Sequence, residues 1–338
     1  MGVLKTDPDR RSAAGETVAA PAASLATVQQ QCDEMLIGMK AMGDQLAELA
    51  ARESELRALI EHDALLEPYM SQLVKTIRKS EVTSAAVGAA IEQAPLRLEP
   101  FPYMVVDDLL PTRLYKCLVR GIPAPELFDR KSAGKEHLAV PFALAPAYSR
   151  RAWRYMAETI VPEMIAPRVI EKVRPQIDAW ISQNWPGLAP ADVELRGSGG
   201  RIMLRRRGYA IAPHRDPKWG FITCIMYLAR PQDSESWGTQ IYSVDEDTEA
   251  ASAAPYWIDP KRCHLVEDVR FRPNRMLVFL NSGGAHGAHI PADAQPEDLE
   301  RYIYQFRVGP PADSIAMLKA KLPAERQSLW VGKAIIDY

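Results

Sequence analysis

The stretch that decides the fold is residues 209–217, Tyr209-Ala-Ile-Ala-Pro-His214-Arg-Asp216-Pro217. Residues 205–212 have the composition of a strand that leads into the His-Arg-Asp triplet. Side chains on a strand alternate between two faces with a period of two, so His214 and Asp216 lie on the same face. One length of backbone can therefore direct an imidazole and a carboxylate at a single point, as a metal site requires.

Three stretches with the pattern of strands follow this pair. They are an apolar run at 221–228, a shorter run after a Gly turn at 237–242, and a third at 275–280. The last run ends just before Asn281-Ser-Gly-Gly-Ala-His286-Gly-Ala-His289. A histidine from this distant stretch would complete a site of two imidazoles and one carboxylate, the arrangement that non-haem Fe(II) oxygenases use.

Two histidines are candidates for the third ligand, His286 and His289. Being three residues apart, they would face different ways on a strand, so only one of them is expected to reach the metal. Gly283, Gly284 and Gly287 would let the backbone pass close to the ion around His286. We therefore assign His286 as the third ligand and keep His289 as the alternative.

At these residues the chain resembles the 2-oxoglutarate/Fe(II)-dependent dioxygenases, in particular their prolyl-4-hydroxylase-like branch. The resemblance is carried by an ordered set: the His-x-Asp pair, an apolar strand ending in Tyr-Leu, a Gly-containing strand, an Arg-x-hydrophobic-Phe strand, His-Gly, and a basic residue on the next strand. A leading stretch at 100–111 also looks like the first strand and turn of such domains. The similarity extends from that stretch to the end of the chain.

The resemblance implies an α+β fold over residues 95–338, a double-stranded β-helix (jelly roll) with flanking helices. It also implies Fe(II) bound by His214, Asp216 and His286, with 2-oxoglutarate as cosubstrate and O2 as oxidant. Halogenating relatives replace the carboxylate ligand by a small residue so that halide can bind. Because Asp216 is retained, hydroxylation or a related oxidation is favoured over halogenation.

The cosubstrate's distal carboxylate needs a cation, and the forked guanidinium of arginine suits it. On Arg301-Tyr-Ile-Tyr-Gln-Phe-Arg307 the two arginines share one face, about 20 Å apart at the usual rise per residue, so we expect only one to bind it. The segment is similar to the family's Arg-Tyr-Ser-Leu-Gln-Phe, whose leading arginine binds 2-oxoglutarate, and we assign Arg301. An insertion at 292–299 lengthens the gap before it. Tyr209 and Thr223 are candidate hydroxyl donors to the same carboxylate.

The N-terminal part of the chain has a different character. Residues 1–22 show no periodicity and are predicted to be disordered, whereas residues 23–94 are predicted to be helical. Within the helical region apolar residues recur at alternating spacings of three and four, as in a coiled-coil seam: Leu25, Val28, Cys32, Met35, Met39, Met42, Leu46 and Leu49. This seam predicts a homo-oligomer formed through residues 25–60, or else a helix packed on its own catalytic domain.

Composition limits the remaining possibilities. With 338 residues, a formal net charge of −2 and a pI near 6.3, the chain lacks the basic character expected for a nucleic-acid partner. No stretch approaches the ~20 consecutive apolar residues of a membrane span. The four cysteines lie far apart without Cys-x-x-Cys spacing, which indicates neither a disulfide framework nor a zinc knuckle and favours a reduced cytoplasm.

Three functional hypotheses follow. The favoured one is an Fe(II)- and 2-oxoglutarate-dependent dioxygenase that oxidises a small-molecule substrate, such as an amino acid derivative or a natural-product intermediate. The second keeps the chemistry but takes a protein side chain, as prolyl-4-hydroxylases do, with the N-terminal helix as a docking element. The third is a non-catalytic β-barrel interaction protein that is oligomerised by its coil.

Overall fold

The computed structural model of the chain describes residues 22–132, 135–138, 145–216, 220–247 and 257–327. Two compact units are distinguished, Met1–Ser54 and Glu55–Tyr338. The predicted disordered segment, residues 1–22, lies outside the described residues except for its last residue, with which the first helix begins. In the part of the chain that is described, no helix is long and apolar enough to cross a membrane.

The first unit consists, in its described part, of most of one long helix, α1 (Ala22–Leu66). Residues 27–54 of this helix are exposed, including the large apolar side chains of the predicted seam between Val28 and Leu49. The helix prediction for this region is confirmed by α1 and by the two shorter helices that follow it in the second unit, α2 (Met70–Ile77) and α3 (Ser80–Gln93). The pairing of the seam in a coiled coil stays a prediction.

The remaining helices belong to the second unit, and all but the last of them bury apolar residues in its core. In the first of them Leu114, Cys117 and Leu118 are buried, at the spacing that places them on one face of a helix. These helices are α4 (Thr112–Arg120), α5 (Ala147–Tyr155), α6 (Ala166–Lys172), α7 (Arg174–Asn184), α8 (Ala312–Ala320) and α9 (Ala324–Gln327), with a π-helical stretch, Met156–Ile165, between α5 and α6.

Twelve strands are present in the described ranges: β1 (Tyr103–Val106), β2 (Phe128–Ser132), β3 (Lys135–Leu138), β4 (Arg196–Gly197), β5 (Arg201–Arg205), β6 (Ala210–His214), β7 (Ile222–Tyr227), β8 (Thr239–Val244), β9 (Cys263–Val269), β10 (Met276–Leu280), β11 (Ala285–His289) and β12 (Arg301–Gly309). The larger sheet has the order β1-β10-β7-β12-β5-β3-β2, with β4 paired to β12, and the smaller sheet has the order β6-β11-β8-β9. All pairs of these strands are antiparallel. The predicted combination of helices and antiparallel sheets is thereby confirmed.

Strand β7 shows how the larger sheet separates two cores. Every residue of β7 is buried, which explains its continuous apolar sequence. Ile222, Cys224 and Met226 belong to the core between the sheet and the helices. Ile225 and Tyr227 belong to a second core together with residues of the smaller sheet. The two sheets therefore enclose an interior of their own, and the candidate ligands His214 and His286 lie on strands that border it.

Residues 121–148, rich in Pro and Ala, are typical of a loop, but they contain the hairpin of β2 and β3. Strand β3 pairs with β5 and so extends the larger sheet by two strands. The hairpin depends on this pairing with a partner far along the chain, which local composition does not reveal. Residues 139–144 and the C-terminal run 329–338 lie outside the described residues.

Candidate metal centre

Two antiparallel strands bring the two histidines together. His214 ends β6 and His286 is the second residue of β11, and the two are directly opposed in the register of this pair. Their ring centroids are 4.2 Å apart. Asp216 follows β6 and completes a buried cluster whose three ligand atoms lie within 4.8 Å of one another. His289 lies at the other end of β11, opposite Ala210, and is exposed.

The distances between the ligand atoms suit one ion. Oδ1 of Asp216 is 3.8 Å from Nε2 of His214, and Oδ2 is 3.8 Å from Nε2 of His286. Two atoms that each bind an ion at about 2.1 Å stand at most about 4.2 Å apart. On the other side of the His214 ring, Nδ1 is 2.9 Å from the carbonyl oxygen of Ala212. A proton on Nδ1 would be donated to that carbonyl, and Nε2 would then be the unprotonated nitrogen that can bind a metal.

Glycine is needed where β11 approaches its neighbours. A Cβ atom on Gly287 would lie 2.9 Å from the carbonyl oxygen of Ile211 on β6. At Gly284 the backbone has a φ of +56°, which favours glycine, and a Cβ there would collide with the ring of Phe101. The register of β11 against β6 also shifts between His286 and Ala288. These features let the strand deliver His286 to the cluster.

The carboxylate of Asp216 is oriented by two neighbours. Thr223 donates its hydroxyl to Oδ2 over 2.8 Å, and Arg307 donates from Nη1 to the same oxygen over 2.9 Å. Arg307 also donates to Thr223 Oγ1 over 2.6 Å, and Asn281 donates to that hydroxyl over 3.1 Å. Because Oδ2 accepts both bonds, Oδ1 is the carboxylate oxygen that these neighbours leave to a metal.

The charges of the cluster favour a metal-binding protonation state. Burial acts to raise the pKa of Asp216, but the positive charge of Arg307, followed by the two histidines, outweighs it and holds the pKa well below its usual range. Burial lowers the pKa of His286 well below 6.5, and His214 lowers it further. An ionised carboxylate beside a neutral imidazole is the combination that binds divalent metals.

Arg301, assigned from the sequence as the cosubstrate anchor, is only 1% exposed and lies on the interior face of the larger sheet. Its Nη2 donates to the carbonyl oxygen of Ser234 over 2.6 Å, and its guanidinium carbon is 4.1 Å from the ring centroid of Phe271. Nε and Nη1 have no hydrogen-bond partner among the described residues. Burial lowers the pKa of Arg301 to about 10, so it remains charged at neutral pH.

Two buried hydroxyls lie in the same region: Tyr227 is near enough to interact electrostatically with Arg301, and Thr239 is hydrogen-bonded to Tyr227. Burial raises the pKa of Tyr227 to about 12, so it is a phenol at neutral pH and can donate a hydrogen bond. The unpaired nitrogens of Arg301 are costly in a buried site unless a ligand satisfies them. Neither residue was selected from the sequence, although the odd positions of β7 lie on the face that also bears Thr223.

The other predicted cosubstrate residues occupy different places. Thr223 is at Asp216 and Arg307, and Tyr209 packs with Ala288 and other apolar residues in a separate cluster. The ring of Tyr209 is 4.9 Å from the guanidinium carbon of Arg205. Arg307, which was not assigned from the sequence, contacts a ligand of the metal cluster, as Thr223 does. The sequence feature that could have identified Arg307 is that it shares a strand face with Arg301.

Comparisons with known proteins give structural likenesses at low sequence identity. No family model matches the chain, and no curated protein matches it. One similar solved structure is a prolyl hydroxylase from Trichoplax adhaerens in complex with a peptide fragment of the hypoxia inducible factor oxygen degradation domain, with 11% identity and a TM-score of 0.36 over 73% of this chain and 95% of that one. A second is HygX from Streptomyces hygroscopicus with nickel and 2-oxoglutarate bound, with 13% identity and a TM-score of 0.33 over 62% of this chain and 82% of that one. A third is the epimerase SnoN in complex with Fe3+, alpha ketoglutarate and nogalamycin RO, with 15% identity and a TM-score of 0.40 over 75% of this chain and 93% of that one.

One of these structures is a prolyl hydroxylase, one holds 2-oxoglutarate, and one is an epimerase that holds Fe3+ and alpha ketoglutarate. All three TM-scores lie below 0.5.

Proposed function

We propose that this chain is an Fe(II)- and 2-oxoglutarate-dependent dioxygenase that hydroxylates, or otherwise oxidises, a small molecule such as an amino acid derivative or a natural-product intermediate. The observation that carries the proposal is the buried convergence of His214, Asp216 and His286 on one point. Two histidines and one carboxylate are the ligand set of non-haem Fe(II) oxygenases, and they leave metal positions free for other ligands.

The strand order supports the fold that this activity implies. Of the strands from β5 to β12, β5, β7, β10 and β12 belong to the larger sheet and β6, β8, β9 and β11 to the smaller one. Successive strands therefore alternate between the sheets, except for the step from β8 to β9. A chain that crosses between two antiparallel sheets in this way forms a double-stranded β-helix, which is the fold we propose for the second unit. The site then lies between the sheets, with His214 and His286 on the smaller sheet and Arg307 on the larger.

The interior face of β12 carries a second arginine away from the metal cluster, where the distal carboxylate of a bound dicarboxylate could meet it. Arg307 lies at the metal cluster, and Arg301 lies further along the same face with two unpaired nitrogens. The two unpaired nitrogens of Arg301, with the hydroxyl of Tyr227 nearby, can bind a carboxylate in two or more hydrogen bonds. These buried donors fit the distal carboxylate of 2-oxoglutarate, and we propose that they bind it.

When bound, the iron and the keto acid would supply the oxidising chemistry, in which 2-oxoglutarate and O2 give succinate, CO2 and an oxidised second substrate. The chain's own residues hold the reactants in place. His214 and His286 would bind the ion through Nε2, and Asp216 through Oδ1. Arg307 and Thr223 hold the carboxylate of Asp216 in position.

The second substrate would approach from the side of Trp257. This residue is 54% exposed, and its ring centroid is 5.3 Å from that of His214. An exposed aromatic ring beside a metal ligand gives a small organic substrate an apolar surface on which to stack.

The four cysteines are free, which supports our proposal of a reducing compartment such as the cytoplasm.

The test measures metal binding, 2-oxoglutarate binding and succinate release by the purified chain with Fe(II), 2-oxoglutarate and O2. We expect wild-type protein to bind both ligands and release succinate, and His286→Ala to lose metal binding and turnover. His289→Ala is the matched control on the same strand and should keep both. A wild-type chain that binds neither metal nor keto acid would instead support the non-catalytic reading, while turnover stimulated by a peptide would support the protein-hydroxylase reading.

A further inference from the structure

The exposed apolar face of α1 is suited to pack against the same face of a second copy of the chain. We propose that two chains associate through an antiparallel pairing of α1, centred on Met35 and Met39. Residues 27–54 of the helix are exposed, and a lone helix that exposes Leu and Met along one stripe gains little stability from its own hydrogen bonds. The exposed apolar members of the stripe are Val28, Met35, Leu36, Met39, Met42, Leu46 and Leu49.

The area of this stripe is sufficient for a stable dimer. At about 60–120 Å² of apolar surface for each large side chain, seven such residues on each of two helices would bury on the order of 800–1,700 Å². Stable protein interfaces bury about 1,200–2,000 Å² in total, so the stripe reaches the usual size. A second copy supplies the same stripe, as a two-fold symmetric interface requires.

The absence of charged residues beside the apolar stripe favours a partner whose binding face is also neutral and apolar. Along residues 24–51 the positions that flank the seam in a heptad are Ser24, Gln29, Gln31, Leu36, Gly38, Gln45, Gly43 and Ala50, none of them charged. The charged residues of this segment lie on the outer positions, among them Asp33, Lys40 and Glu48. Flanking charges normally set partner choice in coiled coils, and here the flanks carry none that would repel an identical helix.

Residues further along the helix decide the direction of the pairing. Glu53 occupies a seam position, so a parallel dimer in register would place the two Glu53 side chains opposite each other. Such a dimer would also bring the flanking Arg52 of one chain to Arg57 of the other. An antiparallel pairing centred between Met35 and Met39 avoids both repulsions.

The antiparallel arrangement also gives a consistent set of layers. It pairs Val28 with Leu46, Cys32 with Met42 and Met35 with Met39, so apolar side chains meet apolar side chains in every layer. Gly38 would meet its symmetry mate beside the two-fold axis. A Cβ atom on Gly38 would have no neighbour within 4 Å in the single chain, and its absence would allow the helices to approach closely there.

The first test is the mass of the full chain in solution. We expect light scattering to give twice the chain mass of 37.7 kDa at micromolar concentration. Met39→Glu, within the stripe, should raise the dimer dissociation constant by at least about tenfold. Ile37→Glu introduces the same charge at an equally exposed apolar residue on the outer side of the helix and should leave the dimer intact. A monomeric wild type, with α1 covered by its own chain, or a larger oligomer would overturn the proposal.

The second test determines whether the two helices pair antiparallel or parallel, and it does not depend on a substitution that weakens the dimer. In a Cys263→Ser background, Met42→Cys should yield a covalent dimer on mild oxidation, because Cys32 of one chain would face residue 42 of the other. Asp44→Cys, on the outer side, should not. Cys32 is exposed and free, so a parallel pairing in register would instead cross-link the background protein through Cys32 alone. That result, or equal cross-linking of both variants, would overturn the antiparallel arrangement.

Discussion

Arg307 donates a hydrogen bond from Nη1 to Oδ2 of Asp216 over 2.9 Å. Thr223 donates to the same oxygen, so Oδ1 is the oxygen left toward His214. One guanidinium therefore has two effects: its charge keeps the carboxylate ionised despite burial, and its hydrogen bond determines which oxygen faces the metal. Neither effect requires Arg307 to touch the metal.

Arg307→Met should consequently weaken metal binding. We expect the affinity for Fe(II), or for Ni(II) as a redox-stable substitute, to fall about 10- to 100-fold, as is usual when a group that orients a metal ligand is lost. Calorimetric titration of the metal-free protein measures this. Arg307→Lys, which keeps the charge, should recover part of the affinity. Arg270→Met removes an exposed arginine that pairs with Glu235 and is the control expected to bind metal normally. Unchanged metal affinity in Arg307→Met would contradict the role.

Arg301→Met should separate keto-acid binding from metal binding. Loss of a charged hydrogen-bond donor should weaken 2-oxoglutarate binding by on the order of 100-fold, and Tyr227→Phe by roughly tenfold. The affinity for the metal should not change, because Arg301 does not contact the cluster. Titration of 2-oxoglutarate into metal-loaded protein, beside a metal titration, measures both quantities. If Arg301→Met bound 2-oxoglutarate as tightly as wild type, the assignment would be wrong.

The same substitution should not destabilise the ligand-free protein. Two nitrogens of the buried Arg301 guanidinium lack partners in the described part of the chain, and burial lowers its pKa. An apolar side chain of similar length removes this unfavourable charge, so we expect the free energy of unfolding to rise by about 1–2 kcal/mol. Urea unfolding without ligands measures it. A loss of stability would show that the charge is compensated in the ligand-free state.

The stability of the metal-free protein should fall as the pH is lowered through the range of histidine. Burial lowers the pKa of His286 in the folded state, whereas an unfolded histidine titrates near 6.5. Below about pH 6.5 the unfolded chain therefore binds a proton that the folded chain does not, and the free energy of unfolding falls by up to about 1.4 kcal/mol per pH unit for this group. The contribution is fully present above that pH.

Urea unfolding between about pH 5 and pH 7.5 tests this dependence. His286→Asn should flatten the profile, and His289→Asn, at an exposed position, should not. The depressed pKa of Asp216 adds to the loss of stability only below about pH 4, where an unfolded carboxyl takes up its proton. A profile that is as steep in His286→Asn as in wild type would place the responsible group elsewhere.

Gly287→Ala should damage the site through the backbone. The new Cβ would lie 2.9 Å from the carbonyl oxygen of Ile211, so β11 would have to move away from β6 and carry His286 with it. We expect a loss of about 1–3 kcal/mol in unfolding free energy and weaker metal binding. Gly43→Ala, where a Cβ meets nothing within 4 Å, is the control and should leave metal affinity unchanged. Normal metal binding by Gly287→Ala would refute the need for glycine.

The sequence predicted best what depends on short-range periodicity. The alternation of side chains on strands placed His214 and Asp216 on one face, and the structure brings them together with His286. The same alternation placed Arg301 and Arg307 on one face of β12. What it could not supply was the register of β12 against β7, in which Arg307 pairs with Thr223. That register determines which arginine reaches the metal cluster.

Long-range pairing also explains the other gaps. The hairpin of β2 and β3 depends on β5, which lies more than sixty residues further along the chain. Tyr227 and Thr239 carry hydroxyls on apolar strands, where a tyrosine or threonine is ordinarily a packing residue. Only the folded positions, Tyr227 near Arg301 and Thr239 beside Tyr227, distinguish them as candidate donors.

The direct opposition of His214 and His286 on neighbouring strands has a consequence for biosynthesis. A chain still emerging from the ribosome possesses the first histidine and the aspartate long before the second histidine, and Arg307 is made later still. Until β11 has paired with β6, an ion would meet only an incomplete set of ligands. Iron can therefore be acquired only once nearly the whole sheet has been synthesised. A nascent chain arrested before residue 286 should bind no iron at this site.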